Sequence, residues 1–377
     1  MDSSYVKELT LCFRVLRAAA PLSQSLLSPR KDKGAVTKDD FSPVTVADFA
    51  LQALLIATIQ GAFPEDTFVG EEDASALRAN DALLTRVWDL LQQTIVAGGD
   101  ENGIALPESK EHLCGLLDQA GSSCPRKKGR TWIFDPIDGT RIYLRGGLYA
   151  INMALLVDGI QTLGCVGCPN LAVDAKAPLT NEDIDARGKG SIIYAVRGHG
   201  AYAMSMSVNT APGDAAGDQA NDHHRLAQVS SSSDMRFVTC ASIVDSALEN
   251  VHGQIASRLG AEYPGCDLVA WVVRWATLAM GLGNTTVWIY KRRDRYGKVW
   301  DHAGAMLLFE ETGGKITDVM GRDIDLTVGR TMSDNFGFVA APRHLHQKVL
   351  DVVREVLKEQ GTKKCWCECG TPYHVHQ

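Results

Sequence analysis

The spacing of apolar residues divides the chain into helical and strand-like stretches that alternate from end to end. Residues 1–24 (MDSSYVKELTLCFRVLRAAAPLSQ) place charges between apolar positions, the pattern of an amphipathic helix. Val46 to Phe63 is apolar at helical spacing and stops at Pro64, which cannot continue a helix. Phe68-Val69-Gly70 reads as a short strand running into acids, and Asp81 to Ile95 as a helix. The rest of 74–128 reads as a glycine- and cysteine-containing variable loop. Strands are predicted at Thr131 to Phe134, Tyr149 to Val157 and Thr162 to Pro169. Residues 205–228, rich in Ala, Gly, Asp and Asn, read as a surface loop near a domain boundary.

Beyond that loop the pattern predicts a strand at Arg236 to Ala241 and helices at Ser246 to Leu259 and Leu268 to Gly281. A strand at Thr286 to Tyr290 precedes a helix from Asp301 to Thr312, closed by Gly313-Gly314. Strands around Lys315 and Phe336 and a helix from Leu345 to Gln360 complete the order. Alternation in both halves predicts a layered α/β protein without internal repeats. The expected units are 1–228, 229–360 and a Cys/His-containing tail at 361–377.

Composition narrows the function. At 377 residues the chain has room for two cores, and its 45% hydrophobic and 22% charged content is that of an ordinary globular protein. A formal charge of −7 argues against a broad nucleic-acid or anionic-membrane surface, and suits the collection of cations. No run approaches the roughly 20 apolar residues of a membrane span. The N-terminus lacks the order of a signal peptide, and ten cysteines then fit reduced thiols in a cytoplasmic protein. Cys165 and Cys168 read as structural thiols, and Cys365-Trp-Cys367-Glu-Cys369 with His374 and His376 as a flexible, oxidation-prone tail. His302 reads as a packing residue or one lying behind metal ligands, and His223-His224 as solvated.

Three separated segments offer carboxylates beside a turn or helix end: Gly70-Glu71-Glu72-Asp73, Asp135-Pro-Ile137-Asp138-Gly139-Thr140, and Trp300-Asp301-His302. Taken singly, each has a plainer reading: a solvated turn, a capped turn, an N-cap. Taken together they suit a hard divalent cation, and magnesium needs only a few carboxylates while keeping several waters. Asp135 and Asp138 flank a proline-stiffened turn and can face the same ions, with the Ile137 carbonyl beside them. Gly139 and Thr140 offer backbone N–H groups to a phosphate where a helix begins. Phosphate-monoester hydrolysis needs acceleration of up to about 10²¹. A general base supplies only about 10² to 10⁴, so most of the barrier falls to metal charge.

At these residues the sequence resembles the inositol monophosphatase superfamily of metal-dependent, lithium-sensitive phosphatases, and within it the 3′(2′),5′-bisphosphate nucleotidases. The strings that carry the resemblance are Ser42-Pro-Val-Thr-Val-Ala-Asp48, Gly70-Glu71-Glu72, Asp135-Pro-Ile-Asp-Gly-Thr140, Leu163-Gly-Cys-Val-Gly-Cys-Pro-Asn170 and Trp300-Asp-His-Ala303. It implies an α/β protein, a layered αβαβα sandwich with an α+β first domain and an α/β second domain. It also implies two or three magnesium ions. Glu71, Asp135 and the Ile137 carbonyl would bind one, and Asp135, Asp138 and Asp301 another. Asp48 and Thr140 would orient and deprotonate the attacking water. The implied partner is a small phosphate ester, with no nucleic-acid polymer and no membrane, handled by a monomer or homodimer.

The departure from that group lies in the substrate pocket. Its Gly-His-Ser-Ser-His-like segment is replaced by Cys240-Ala-Ser-Ile-Val-Asp-Ser-Ala-Leu-Glu249. Where the group carries a serine and a lysine near phosphate, this chain has Trp271 and Arg274; the group's next arginine falls at Ile289, just before Lys291, Arg292 and Arg293. Arg274 is expected to suit an anion. Trp271 is carried as a substrate contact, although helical tryptophans more often fill a core.

Overall fold

The computed structural model describes residues 5–26, 36–37, 43–44, 46–98, 103–207, 223–228, 234–242 and 246–360. In the first half, α1 (Val6–Ser25) buries Leu9, Cys12, Val15, Leu16 and Ala19, a stripe at helical spacing. A short antiparallel pair, β1 (Val36–Thr37) and β2 (Pro43–Val44), precedes α2 (Val46–Ala62). Every residue of α2 from Val46 to Ile59 is buried, as expected of a helix enclosed on all sides. It lies among α1, α4 (Asp81–Gly98) and α5 (Lys110–Ser122), with the short α3 (Ser75–Arg78) at the rim.

These helices cover one face of a seven-stranded sheet in the order β3 (Thr67–Gly70), β4 (Arg130–Asp138), β5 (Ala150–Val157), β6 (Ile160–Cys168), β7 (Ser191–Val196), β8 (Gly200–Ser205), β9 (His224–Arg225). Only β3 and β4 run parallel. A single-turn α6 (Thr140–Tyr143) follows β4. Alternation sorts the strands: Trp132, Phe134, Ile151, Met153 and Leu155 enter the core under α1 and α2. Ile133, Ala150, Ala154 and Leu156 enter a second core on the opposite face.

The second core is shared with α8 (Trp271–Ala279) and α9 (Ala305–Glu311). Beyond them β12 (Thr286–Trp288), β14 (Phe338–Pro342) and β13 (Gly314–Thr317) form an antiparallel sheet with β14 in the middle. β10 (Arg236–Thr239) pairs in parallel with β11 (Glu262–Asp267), and a bridge from Phe237 to Thr285 extends the layer. A third core packs that layer against α7 (Val251–Leu259) and α10 (His346–Glu359). Helix, sheet, helix, sheet, helix: the five layers are those of the expected αβαβα sandwich.

Several elements differ from their sequence reading. The stretch 74–128 holds three helices, and 191–205 and Glu262–Asp267 hold strands that no reading had assigned. In place of one helix from Asp301 to Thr312 there is a 3₁₀ turn at Val299–Asp301, then a break at Gly304 (φ 73°). Asn250 (φ 60°) delays α7 to Val251. His224–Arg225 form an edge strand within the expected loop, and His223 is half-buried, its Nδ1 2.9 Å from the Tyr194 hydroxyl. Residues 208–222 and the Cys/His tail lie outside the described residues. Cys165 and Cys168 are buried free thiols on β6. No described helix is long and apolar enough to cross a membrane.

The junction between the first sheet and α9 leaves no room for a side chain: a Cβ on Gly164 would sit 2.1 Å from the Gly304 carbonyl oxygen. Gly164→Ala should therefore cost about 1–3 kcal/mol through overpacking. By contrast, Gly115, within α5 with nothing within 4 Å of its added Cβ, should tolerate alanine with a gain of up to about 1 kcal/mol. Denaturant midpoints of the two variants test this; equal shifts of the same sign would contradict it.

Candidate functional site

Parallel pairing of β3 with β4 brings two acidic strand ends side by side. Gly70 is in register with Phe134, so Glu71, just past the end of β3, falls beside Asp135, where the β3–β4 pairing ends and β4 continues against β5. Asp135 is buried, and the β4–β5 register shifts between Asp135 and Asp138. That irregularity turns both carboxylates toward the same side. The Ile137 carbonyl accepts a hydrogen bond from the Thr140 hydroxyl at 3.1 Å.

Asp138 also anchors α8. Its carboxylate accepts from the Trp271 amide at 3.2 Å and the Val272 amide at 2.6 Å, so an anion meets the positive end of a helix. The close approach requires Gly139, which has φ 85° and whose added Cβ would lie 2.7 Å from Ala270 Cβ. Each oxygen of Asp138 keeps a lone pair for a further partner.

Asp301 arrives from the other half of the chain and is held through its neighbours. Asn152, opposite Asp135 in the β4–β5 pairing, donates Nδ2 to the carbonyls of Trp300 (2.7 Å) and Ala303 (2.9 Å). His302 is fully buried, accepts from Trp275 Nε1 at 3.0 Å through Nδ1, and packs on Phe338. Burial holds its pKa well below the usual imidazole range, so it remains neutral behind the acids.

The backbone just after Glu71 is fixed by Gln52, which accepts from the Glu72 amide at 2.8 Å and donates to the Glu72 carbonyl at 2.7 Å. Gly70 is needed here as well, because a Cβ would fall 2.5 Å from Gln52 Cδ. One turn earlier on the same face of α2 lies the buried Asp48. Sequence reasoning missed Gln52 and Asn152. Gln52 had a signal: a glutamine in an otherwise apolar helix, four residues after an acid. Asn152 had none, since its partners become neighbours only in the tertiary fold.

Oxygen atoms of Asp135, Asp138 and Asp301 lie within 4.8 Å of one another. Burial raises the Asp135 pKa well above the carboxylate range, and Glu71, Asp138, Asp301 and Asp48 raise it further. Burial lifts Asp138 to about 7 against the pull of the α8 amides and Arg274. Asp301 is raised by burial, then by Asp138 and Glu71, and its hydrogen bond with Asp135 offsets part of that. Asp135 Oδ1 is buried with no partner. An all-oxygen donor set, an orphaned oxygen and unrelieved like charge together fit a hard divalent cation. Among the described residues no other group of acids, histidines or cysteines gathers in this way.

Arg274 lies in the first turn of α8. Only 3% exposed, it donates to the carbonyls of Leu268 (2.7 Å) and Val269 (2.9 Å) and stacks between Trp271 and Trp288. Its guanidinium braces the turn before α8, while its Nη1 is buried with no hydrogen-bond partner. Trp271 is half-buried against Trp275, Trp288, His302 and Phe338. A cavity of about 680 Å³ bordered by Ala241, Glu249, His252, Arg258 and Tyr263 includes none of the clustered acids.

Comparison with known proteins agrees with this geometry. The inositol monophosphatase family matches residues 8–358. The 3′(2′),5′-bisphosphate nucleotidase of Schizosaccharomyces pombe is 34% identical over 358 residues, covering 94% of this chain and 96% of the relative. That of Emericella nidulans is also 34% identical, covering 94% and 99%. In fold, the chain is similar to an IMPase from Thermotoga maritima, with a TM-score of 0.56 and 18% identity over 94% of this chain and 100% of that one.

The raised carboxyls make a signed prediction for the metal-free protein. Between the unfolded carboxylate pKa, about 4, and the folded value of about 7 for Asp138, the native state holds protons that the unfolded chain has released. Stability from this cluster is therefore full below pH 4 and lost as pH rises through 7. In excess chelator, Asp135→Asn should be more stable than wild type at pH 8, on the order of 1–2 kcal/mol, with the gap closing toward pH 4. Denaturant titrations at both pH values measure it; a variant less stable than wild type at pH 8 would refute the charge-crowding account.

Proposed function

The chain belongs to the inositol monophosphatase family and is a phosphoric monoester hydrolase; on that premise we propose that it acts, with magnesium, on a 3′-phosphorylated adenosine nucleotide. The observation that carries the chemistry is the orphaned Asp135 oxygen surrounded by four other carboxylates. The substrate class is supported by relatives matched over nearly their whole length, which are 3′(2′),5′-bisphosphate nucleotidases.

In this reading Glu71, Asp135 and the Ile137 carbonyl hold one magnesium, and Asp135, Asp138 and Asp301 a second. When bound, the ions supply positive charge that neutralises the phosphate and acidifies water. The chain's own residues then divide the remaining work. Thr140 Oγ1 accepts the proton of the attacking water and passes its own toward Asp48. For this it must exchange the bond it makes to the Ile137 carbonyl. Backbone N–H groups of Gly139 and Thr140 receive the phosphate oxygens. Arg274 acts from behind, keeping the first turn of α8 against Asp138. Trp271, at that same turn, forms an apolar wall of the pocket and favours a second reading, a phosphate ester with an aromatic or prenyl body.

Phosphate release from 3′-phosphoadenosine 5′-phosphate, inositol 1-phosphate and an aryl phosphate, with magnesium or with chelator, separates these readings. The bisphosphate should exceed the others at least about tenfold in kcat/KM, a difference of roughly 1.4 kcal/mol in transition-state binding. An aryl phosphate turned over faster would favour the second reading, and undiminished activity in chelator would reject both.

Asp48 and Thr140 serve one proton transfer in this scheme. Each of Asp48→Asn and Thr140→Ala should lower kcat by about 10² or more, and the double variant should be little worse than the poorer single one. Additive losses in kcat would separate their roles.

A further inference from the structure

Arg330 joins three separate parts of the chain around the site. Its Nη2 donates to the carbonyls of Gly70 (2.6 Å) and Glu71 (3.3 Å), and its Nη1 to those of Ala120 (2.9 Å) and Ser123 (3.1 Å). The same guanidinium lies 4.7 Å from the ring centre of Trp300, beside Asp301. Its backbone is tied to the Asp301 turn as well: the Val299 amide donates to the Arg330 carbonyl at 3.1 Å, and Lys298 and Thr331 form an antiparallel bridge. One residue thus spans the end of β3, the end of α5 and the turn that carries Asp301.

This arrangement constrains something specific. Glu71 and Asp301 approach the cluster from opposite halves of the chain, and like charge pushes them apart. Gln52 ties the Glu72 backbone, next to Glu71, to α2, and Asn152 ties the Asp301 turn to β5. Arg330 contacts both segments at once. Its planar fork can serve four carbonyls and still stack on an indole, which a lysine ammonium cannot do. Its positive charge sits among Glu71, Glu72 and Asp73, which favour the charged form against its burial.

We propose that Arg330 is a positioning residue for the metal centre: it sets the separation of Glu71 and Asp301, and through it the affinity for divalent cations. The inference rests on the assignment of those two acids as ligands. It is tested on the full chain by calorimetric titration of magnesium into chelator-treated protein, with Asp135→Asn as the control for the site itself. Arg330→Met keeps an unbranched side chain and removes the guanidinium, both its hydrogen bonds and its face over Trp300. It should bind magnesium about 10- to 100-fold more weakly, the usual cost of losing a residue that orients ligands. At saturating magnesium its substrate KM should stay close to that of wild type, and Arg330→Lys should recover part of the affinity.

Wild-type magnesium affinity in Arg330→Met, even with a lowered melting temperature, would reduce Arg330 to a stabilising contact and overturn the proposal. Should the methionine variant not fold, Arg330→Lys decides by the same criterion: weakened binding supports the proposal, and unchanged binding overturns it. If Asp135→Asn binds magnesium as well as wild type, the ligand assignment itself falls and this inference with it.

Discussion

Mutual repulsion among five buried or half-buried carboxylates is the constraint around which this protein is arranged. Taking one anion out of water is costly, and gathering several within hydrogen-bonding reach is more so. Burial and the neighbouring carboxylates raise the pKa values of Asp135 and Asp301, and burial raises that of Asp138. Holding the acids together regardless demands a scaffold that resists their separation. The local hydrogen bonds provide it: Asp138 on the amides of α8, the Asp301 turn on Asn152, and the Gly70–Glu72 backbone on Gln52 and Arg330.

The layered fold makes those tethers possible. The one parallel pairing in the large sheet sets the ends of β3 and β4 beside each other, which antiparallel neighbours could not do. The helices of the middle layer then close over that edge, and they come so near that glycine is required. Gly139 admits Ala270, and Gly164 admits Gly304. These contacts bring the start of α8 and the Asp301 turn to the strand ends. Packing and chemistry are therefore coupled: a methyl group at either glycine would move a segment that carries or braces an acid.

Arg274 illustrates how burial changes the meaning of a residue type. A guanidinium beside a phosphate site suggests an anion grip. Here two of its nitrogens are bonded to backbone carbonyls and its faces are covered by indoles. It stabilises the turn that presents the α8 amides to Asp138. Trp271 likewise packs its half-buried ring on Trp275, Trp288, His302 and Phe338.

Local chemistry was legible in the sequence, and tertiary placement was not. Asp135, Asp138, Glu71 and Asp301 stood out because acids beside turns, proline and glycine have few structural uses in common, and the apolar periodicities of α1, α2, α4 and α10 were strong enough to place those helices. Boundaries failed where a backbone conformation intervened, as at Gly304 and Asn250, or where strands were short or exposed, as at Glu262–Asp267. By itself the sequence determined the acidic residue types that cluster, the layered class and the family likeness, since each depends on residue identity at short range. Only the tertiary structure decided that Gln52, Asn152 and Arg330 hold the acids and that Arg274 faces inward. Hydrogen bonds across more than a hundred residues, such as Asn152 to Trp300, leave no periodic trace along the chain.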